Sequence, residues 1–115
     1  MNNNVAIAET YYTAMSNKDI VSLEQYLHHD VQFTSPFATL AGKPAMFEAI
    51  RKFTTYFKTL NIRATFGSGD QAIAVYNVEF SEPIGTIRTS ALLTFQDGLI
   101  INIELFFDGR PFEKK

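Results

Sequence analysis

The residues that could do chemistry in this chain are few, and most of them stand alone. Tyr11 sits beside an apolar stripe, where a phenol could donate a hydrogen bond to a developing negative charge. Ser35 precedes Pro36; its free hydroxyl cannot serve as a base near neutral pH. Asn77 and Glu79 fall in the run Ala74-Val75-Tyr76-Asn77-Val78-Glu79-Phe80, whose alternation gives the core to 74, 76, 78 and 80 and turns Asn77 and Glu79 outward. His28, His29 and Asp30 are consecutive at an expected helix end, where adjacent side chains diverge and hold a metal poorly. Asp108 and Arg110 flank Gly109 at a strand end and read as a structural ion pair. There is no cysteine, which removes thiol catalysis, disulfides and zinc-thiolate sites, and there is no phosphate-binding loop, nucleophile elbow or metal signature. No cofactor is expected.

The elements that must position these groups follow from periodicity. Val5, Ala8, Tyr12 and Met15 recur at helical spacing. Ile20, Leu23 and Leu27 predict a second, shorter helix that starts after Ser16-Asn17-Lys18-Asp19 and ends near His28-His29. Val31 to Ser35 alternates as a short edge strand that Pro36 interrupts. Gly42-Lys43-Pro44 opens a third helix with Met46, Ile50, Phe53 and Phe57 on one face. Strand patterns then run over Ile62–Phe66, Ala72–Phe80, Thr86–Phe95 and Leu99–Phe107, with Asp97-Gly98 as a hairpin signal. Helices first and strands after predict an α+β domain, with helices packed on one face of a mostly antiparallel sheet.

At 115 residues the chain is sized for one domain, spanning 1–115. A net charge of −2 with dispersed Lys and Arg argues against nucleic acid as a partner. No apolar run reaches the ~20 residues of a membrane span. The start Met1-Asn2-Asn3-Asn4 lacks the basic and apolar regions of a signal peptide, so a soluble cytoplasmic protein is expected.

Two helices, a short strand ending at Pro36, the Gly42-Lys43-Pro44 helix start and hairpins closing with Asp97-Gly98 and Phe106-Phe107-Asp108-Gly109-Arg110-Pro111-Phe112 resemble the nuclear transport factor two-like superfamily, over essentially the whole chain. Within it the chain most resembles small bacterial SnoaL-like proteins, similar in outline to polyketide cyclases, ketosteroid isomerases and limonene epoxide hydrolases. The resemblance implies three N-terminal helices packed in a cone of curved sheet around an apolar pocket, and frequent homodimerisation. It also implies where chemistry would sit. Tyr11 matches the isomerase tyrosine that stabilises the enolate oxygen. Ser35 replaces the proton-shuttling Asp, and Ala91 replaces the second acid of the oxyanion hole. Phe33 and Ser35 stand where the hydrolases hold water with Tyr and Asn. Asn77, Glu79 and Leu105 stand for the hydrolase Arg and two Asp, leaving one carboxylate. An apolar outer sheet face, as in a dimer, would allow Asn77 and Glu79 to turn inward, against the alternation.

Three functions follow as expectations. One is a pocket lined by Tyr11, Phe33, Phe37, Phe53, Tyr76 or Asn77, and Leu105 that binds a small apolar ligand. Another is a diverged cyclase, isomerase or hydrolase with Glu79 as base and Tyr11, Ser35 and Asn77 as hydrogen-bond partners. The third is a ligand-free interaction module that pairs through its sheet. The losses at Ser35, Ala91 and Leu105 favour binding, because removing one member of a cooperating catalytic set removes most of the rate.

Overall fold

The computed structural model describes residues 3–113; Met1, Asn2, Lys114 and Lys115, at the ends of the expected 1–115 domain, lie outside the described residues. Helix α1 (Asn4–Ser16) buries Ala8, Tyr12 and Met15 of the expected stripe, with Tyr11 beside it and Ala14, while Val5 is partly buried. A turn leads to α2 (Ile20–Glu24), whose first turn is capped by Asp19 accepting the Ser22 N–H at 3.2 Å. Strand β1 (Leu27–Thr34) is followed by the short β2 (Thr39–Ala41) and then α3 (Lys43–Tyr56). Gly42 caps α3 at φ +94°, a left-handed conformation that glycine adopts without strain, and Pro44 occupies the first turn. The rest is sheet: β3 (Phe57–Ser68), β4 (Gln71–Phe80), β5 (Thr86–Gln96) and β6 (Leu99–Phe107), closed by a 3₁₀ turn at Arg110–Phe112.

The six strands form one sheet in the order β2-β1-β6-β5-β4-β3. All neighbours are antiparallel except β1 and β6. The turn between β5 and β6 has Asp97 at φ +56° and Gly98 at φ +78°, the paired positive angles of the Asp-Gly hairpin that the sequence predicts. Register shifts interrupt β3/β4 twice, β5/β6 once and β1/β6 once. Each adds local twist, so the sheet curls over α1 and α3 as a cone. The architecture is the nuclear transport factor two-like α+β fold.

Three boundaries differ from the sequence reading. The second helix stops at Glu24, and Leu27, His28 and His29 belong to β1; the Ile20–Leu27 spacing suits a helix, yet Leu27 is placed in the core by pairing with Ile100. The strand expected at the sheet edge is not the edge, because β2 pairs outside it. Strand β3 starts at Phe57, five residues before the alternation of Ile62–Phe66 announces it. Two bulges in β3 break the period-two pattern there, which hides the strand from pattern reading.

Inside the cone the core joins α1 to β3, β4, β5 and β6. Gly67 on β3 lies so close to α1 that a Cβ there would collide with the Cγ2 of Val5. The glycine lets the helix sit down on the strand.

Candidate functional site

The concave face of the sheet and helices α1 and α3 enclose a cavity of about 420 Å³. Every strand from β4 to β6 sends alternate side chains into it: Tyr76, Val78 and Phe80 from β4; Ile87 and Thr89 from β5; Ile103, Leu105 and Phe107 from β6. Helix α1 contributes Tyr11, Tyr12 and Met15, and α3 contributes Met46, Ile50 and Phe53. Phe37, before β2, and Phe112, in the terminal turn, complete the wall beside Phe33 and Ser35. Among the described residues, no Asp, Glu, Lys, Arg or His lines the cavity.

The polar groups are nearly all spoken for. Ser35 Oγ accepts the N–H groups of Phe37 and Ala38, both at 3.2 Å, and so holds its own turn together. Thr89 Oγ1 donates to the Ile87 carbonyl at 3.4 Å. Tyr12 and Tyr76 lie with ring centroids 4.6 Å apart, and their hydroxyls are hydrogen-bond partners. Tyr11 packs edge-on against Tyr12 at 4.9 Å, and its hydroxyl is buried with no partner. Burial, with Tyr76 as a nearby second acid, pushes the Tyr11 phenol far above the ordinary tyrosine range. Burial does the same to Tyr12 and Tyr76, partly offset at Tyr76 by the bond from Tyr12. All three are neutral hydrogen-bonding phenols at physiological pH. Among the described residues the lining offers no base and no charge.

Of the residues expected at the site, Tyr11, Phe33, Ser35, Phe37, Phe53, Tyr76 and Leu105 line the cavity together. Asn77 and Glu79 do not. Glu79 is exposed on the outer face, where it accepts a hydrogen bond from Thr59 Oγ1 at 3.1 Å across the β3/β4 pair. This corrects the placement of Glu79 as a pocket base and of Asn77 as its partner. The physical reason is the unbroken alternation of β4, which sends 76, 78 and 80 inward and their odd-numbered neighbours out. Asn77 lies half-buried on that outer face, with Oδ1 buried and unpartnered. Tyr12, Thr89 and Phe112 were not expected at the site. Tyr12 was legible from its place in the α1 stripe and Thr89 from its period with Ile87; nothing local marks Phe112, which arrives only through the final turn.

The histidines also need correction. They sit not at a helix end but in the irregular part of β1, where the register against β6 shifts between Leu27 and Gln32. There the rings stack with centroids 4.6 Å apart instead of diverging, and the ligand-type atoms of His28, His29 and Asp30 fall within 4.8 Å of one another. His28 Nδ1 accepts the Asp30 N–H at 3.0 Å, and none of the three lines the cavity. Asp108 and Arg110 form the expected pair: Nη2 to Oδ2 is 2.6 Å, and the Arg110 N–H groups hold the carboxyl down at about 2.

The outer face of the sheet carries its own apolar residues. Phe66 pairs with Ile73 and Ile73 with Leu92, while Phe106 stands beside Ser90, and Phe66, Ile73 and Phe106 are all exposed. Among the described residues no helix is long and apolar enough to cross a membrane.

A family model described as a SnoaL-like domain matches residues 8–103. Solved structures superpose closely. A protein from Kribbella flavida gives a TM-score of 0.87 at 21% identity, over 94% of this chain and 88% of its own. A nuclear transport factor two-like protein of unknown function from Cytophaga hutchinsonii gives 0.82 at 21%, over 93% and 92%. A steroid delta-isomerase from Pseudomonas aeruginosa gives 0.79 at 21%, over 94% and 81%. At these identities the likeness is one of fold. No curated protein matches the chain.

Proposed function

Since the chain belongs to the SnoaL-like domain family of the nuclear transport factor two-like superfamily, we propose that its cone binds one small, uncharged, largely apolar molecule that carries a hydrogen-bond acceptor. The observation that carries this reading is the cavity of about 420 Å³ whose lining, among the described residues, has no ionisable acid or base except phenols and whose Tyr11 hydroxyl lacks a partner. The volume lies within the range of small-molecule sites. A charged ligand would enter without a counter-ion, at a cost of several kcal/mol. A carbonyl, ether or hydroxyl oxygen would complete Tyr11, while Tyr76, already accepting from Tyr12, keeps its own proton to offer. Acid–base catalysis has no support here: Glu79 is on the other face of the sheet, and a tyrosine with a raised pKa transfers no proton near pH 7.

The test is a titration with 2-acetylnaphthalene, a neutral aromatic ketone, followed by protein amide NMR. Saturable one-to-one shifts clustered at the lining, abolished by the cavity-filling Leu105→Trp, are the expected result. Shifts spread over the outer face, or persisting in Leu105→Trp, would defeat the reading.

A second reading concerns the outer face, where we propose that a second copy of the chain covers Phe66, Ile73 and Phe106. Arg88 and Glu104 lie on that face to either side of Ser90 and Phe106. A two-fold axis near these two residues would oppose each cation to its partner's carboxylate, which is the self-complementarity an isologous dimer needs. Sedimentation should give a dimer at micromolar concentration and a monomer for Phe106→Lys; a monomeric parent protein would end this proposal.

A further inference from the structure

Phe37 lines the cavity and is 58% exposed, which places it at the rim, like Tyr56 at 72%. It belongs to residues 35–38, which link β1 to the three-residue edge strand β2. The hydrogen bonds of this loop close on the loop itself. Ser35 N donates to the Ala38 carbonyl at 2.9 Å, and Ser35 Oγ takes the N–H groups of Phe37 and Ala38. The loop is therefore a self-closed turn that ends the β1/β2 hairpin beyond the Thr34–Thr39 pair.

Beyond the strand pairing that flanks the turn, the Phe37 ring ties it to the rest of the cone. The ring meets Phe107 and Phe112 edge-on, with centroids 5.6 and 5.7 Å away, and lies against the backbone of Gly109. Gly109 has φ −82° and ψ −7°, a conformation open to any residue, so the backbone does not require glycine there. The ring does. A Cβ at 109 would stand 2.9 Å from Phe37 Cζ and 3.1 Å from Cε1, closer than packed carbons tolerate. The Asp108–Arg110 pair brackets this glycine.

We infer that Phe37 is a hinged door of the cavity, that Gly109 is its seat, and that the two residues decide the size of molecule admitted. The inference rests on the binding reading for its purpose, but not for its test. When the ring is seated, a small molecule passes at the rim; a bulky one waits for the 35–38 turn to swing out. Because the turn keeps its internal hydrogen bonds when it moves, opening breaks only ring contacts and exposes no unpaired backbone group.

A thiol-trapping experiment needs no ligand, so the door and the binding function fail separately. The chain has no cysteine, and Thr89→Cys places a single thiol of nearly the same size inside the cavity. Its alkylation is timed with iodoacetamide and with the bulky, neutral N-(1-pyrenyl)maleimide. Leu23→Cys, buried outside the cavity, reports global unfolding. In the Thr89→Cys background, Phe37→Ala should raise the bulky-to-small rate ratio about fivefold or more, the scale set by losing one part-buried phenyl ring. Gly109→Ala, which keeps the ring but removes its seat, should raise it in the same way, and the Leu23→Cys rates should be unmoved by either. A ratio unchanged by Gly109→Ala, or a parallel rise at Leu23→Cys, overturns the door.

Discussion

Replacing Tyr11 by phenylalanine should make the ligand-free protein more stable and its binding of a ketone weaker. In the free protein the Tyr11 hydroxyl is buried without a partner, which carries a desolvation cost of about 1–3 kcal/mol. The Tyr11→Phe variant keeps the ring, its edge contact with Tyr12 and its place in the core, and loses only the oxygen. Taking the low end of that range, the expected gain is about 1 kcal/mol. For 115 residues the unfolding entropy is about 240 cal/mol/K, so Tm should rise by about 4 °C. In the complex the sign reverses, since the wild-type hydroxyl gains a hydrogen bond and sheds its desolvation cost together. The ketone should bind Tyr11→Phe about 5- to 30-fold more weakly, for a loss of about 1–2 kcal/mol. The matching hydrocarbon 2-ethylnaphthalene should bind the two proteins alike. Calorimetric unfolding without ligand and titration with both compounds supply the four numbers. A Tm that falls by several degrees, or equal losses for ketone and hydrocarbon, would refute the assignment of Tyr11 as the polar anchor.

Other consequences are simpler to check. Glu79→Gln should leave ketone affinity within twofold and stability within about 0.5 kcal/mol, because an exposed side chain on the outer face touches neither cavity nor core; a tenfold loss of affinity would return Glu79 to the site. Gly67→Ala should cost about 1–3 kcal/mol by driving a methyl group into Val5, and Val5→Ala in the same chain should recover part of that loss in chemical denaturation. Asp108 has its folded-state pKa depressed from 3.8 to about 2, so its pairing with Arg110 is fully present above about pH 4 and is lost as pH falls through about 2. An NMR titration of its carboxyl carbon should show that midpoint, and Arg110→Ala should return it toward 3.8.

How far these features could be read from the chain depended on whether one local rule governed each residue. The α1 stripe, the Pro44 helix start and the Asp97-Gly98 hairpin each obey a strong local preference, and all are found as expected. Strand alternation, taken alone, also orients Asn77 and Glu79 correctly; the inward alternative came from similarity to enzymes that place polar groups there. Failures concentrate where tertiary contacts override a period. Leu27 has helical spacing to Leu23, but pairing with Ile100 draws it into β1, and His28 and His29 go with it. Bulges in β3 leave Phe57–Ser68 without a readable rhythm. The cavity was partly legible because Phe33, Tyr76 and Leu105 follow period two. Its rim was less so, since the approach of Phe37 to Gly109 joins segments about seventy residues apart and rests on an atom that glycine lacks.

The most direct measurement is the affinity of 2-acetylnaphthalene set against that of 2-naphthoate, a molecule of similar shape that differs chiefly in carrying a charge. A cavity with no cation among its described lining residues should bind the ketone at least about 100-fold more tightly, the equivalent of nearly 3 kcal/mol and within the cost of burying an unpaired carboxylate. Naphthoate binding as tightly as the ketone, at the same lining residues, would contradict the claim that this cone is built for an uncharged ligand.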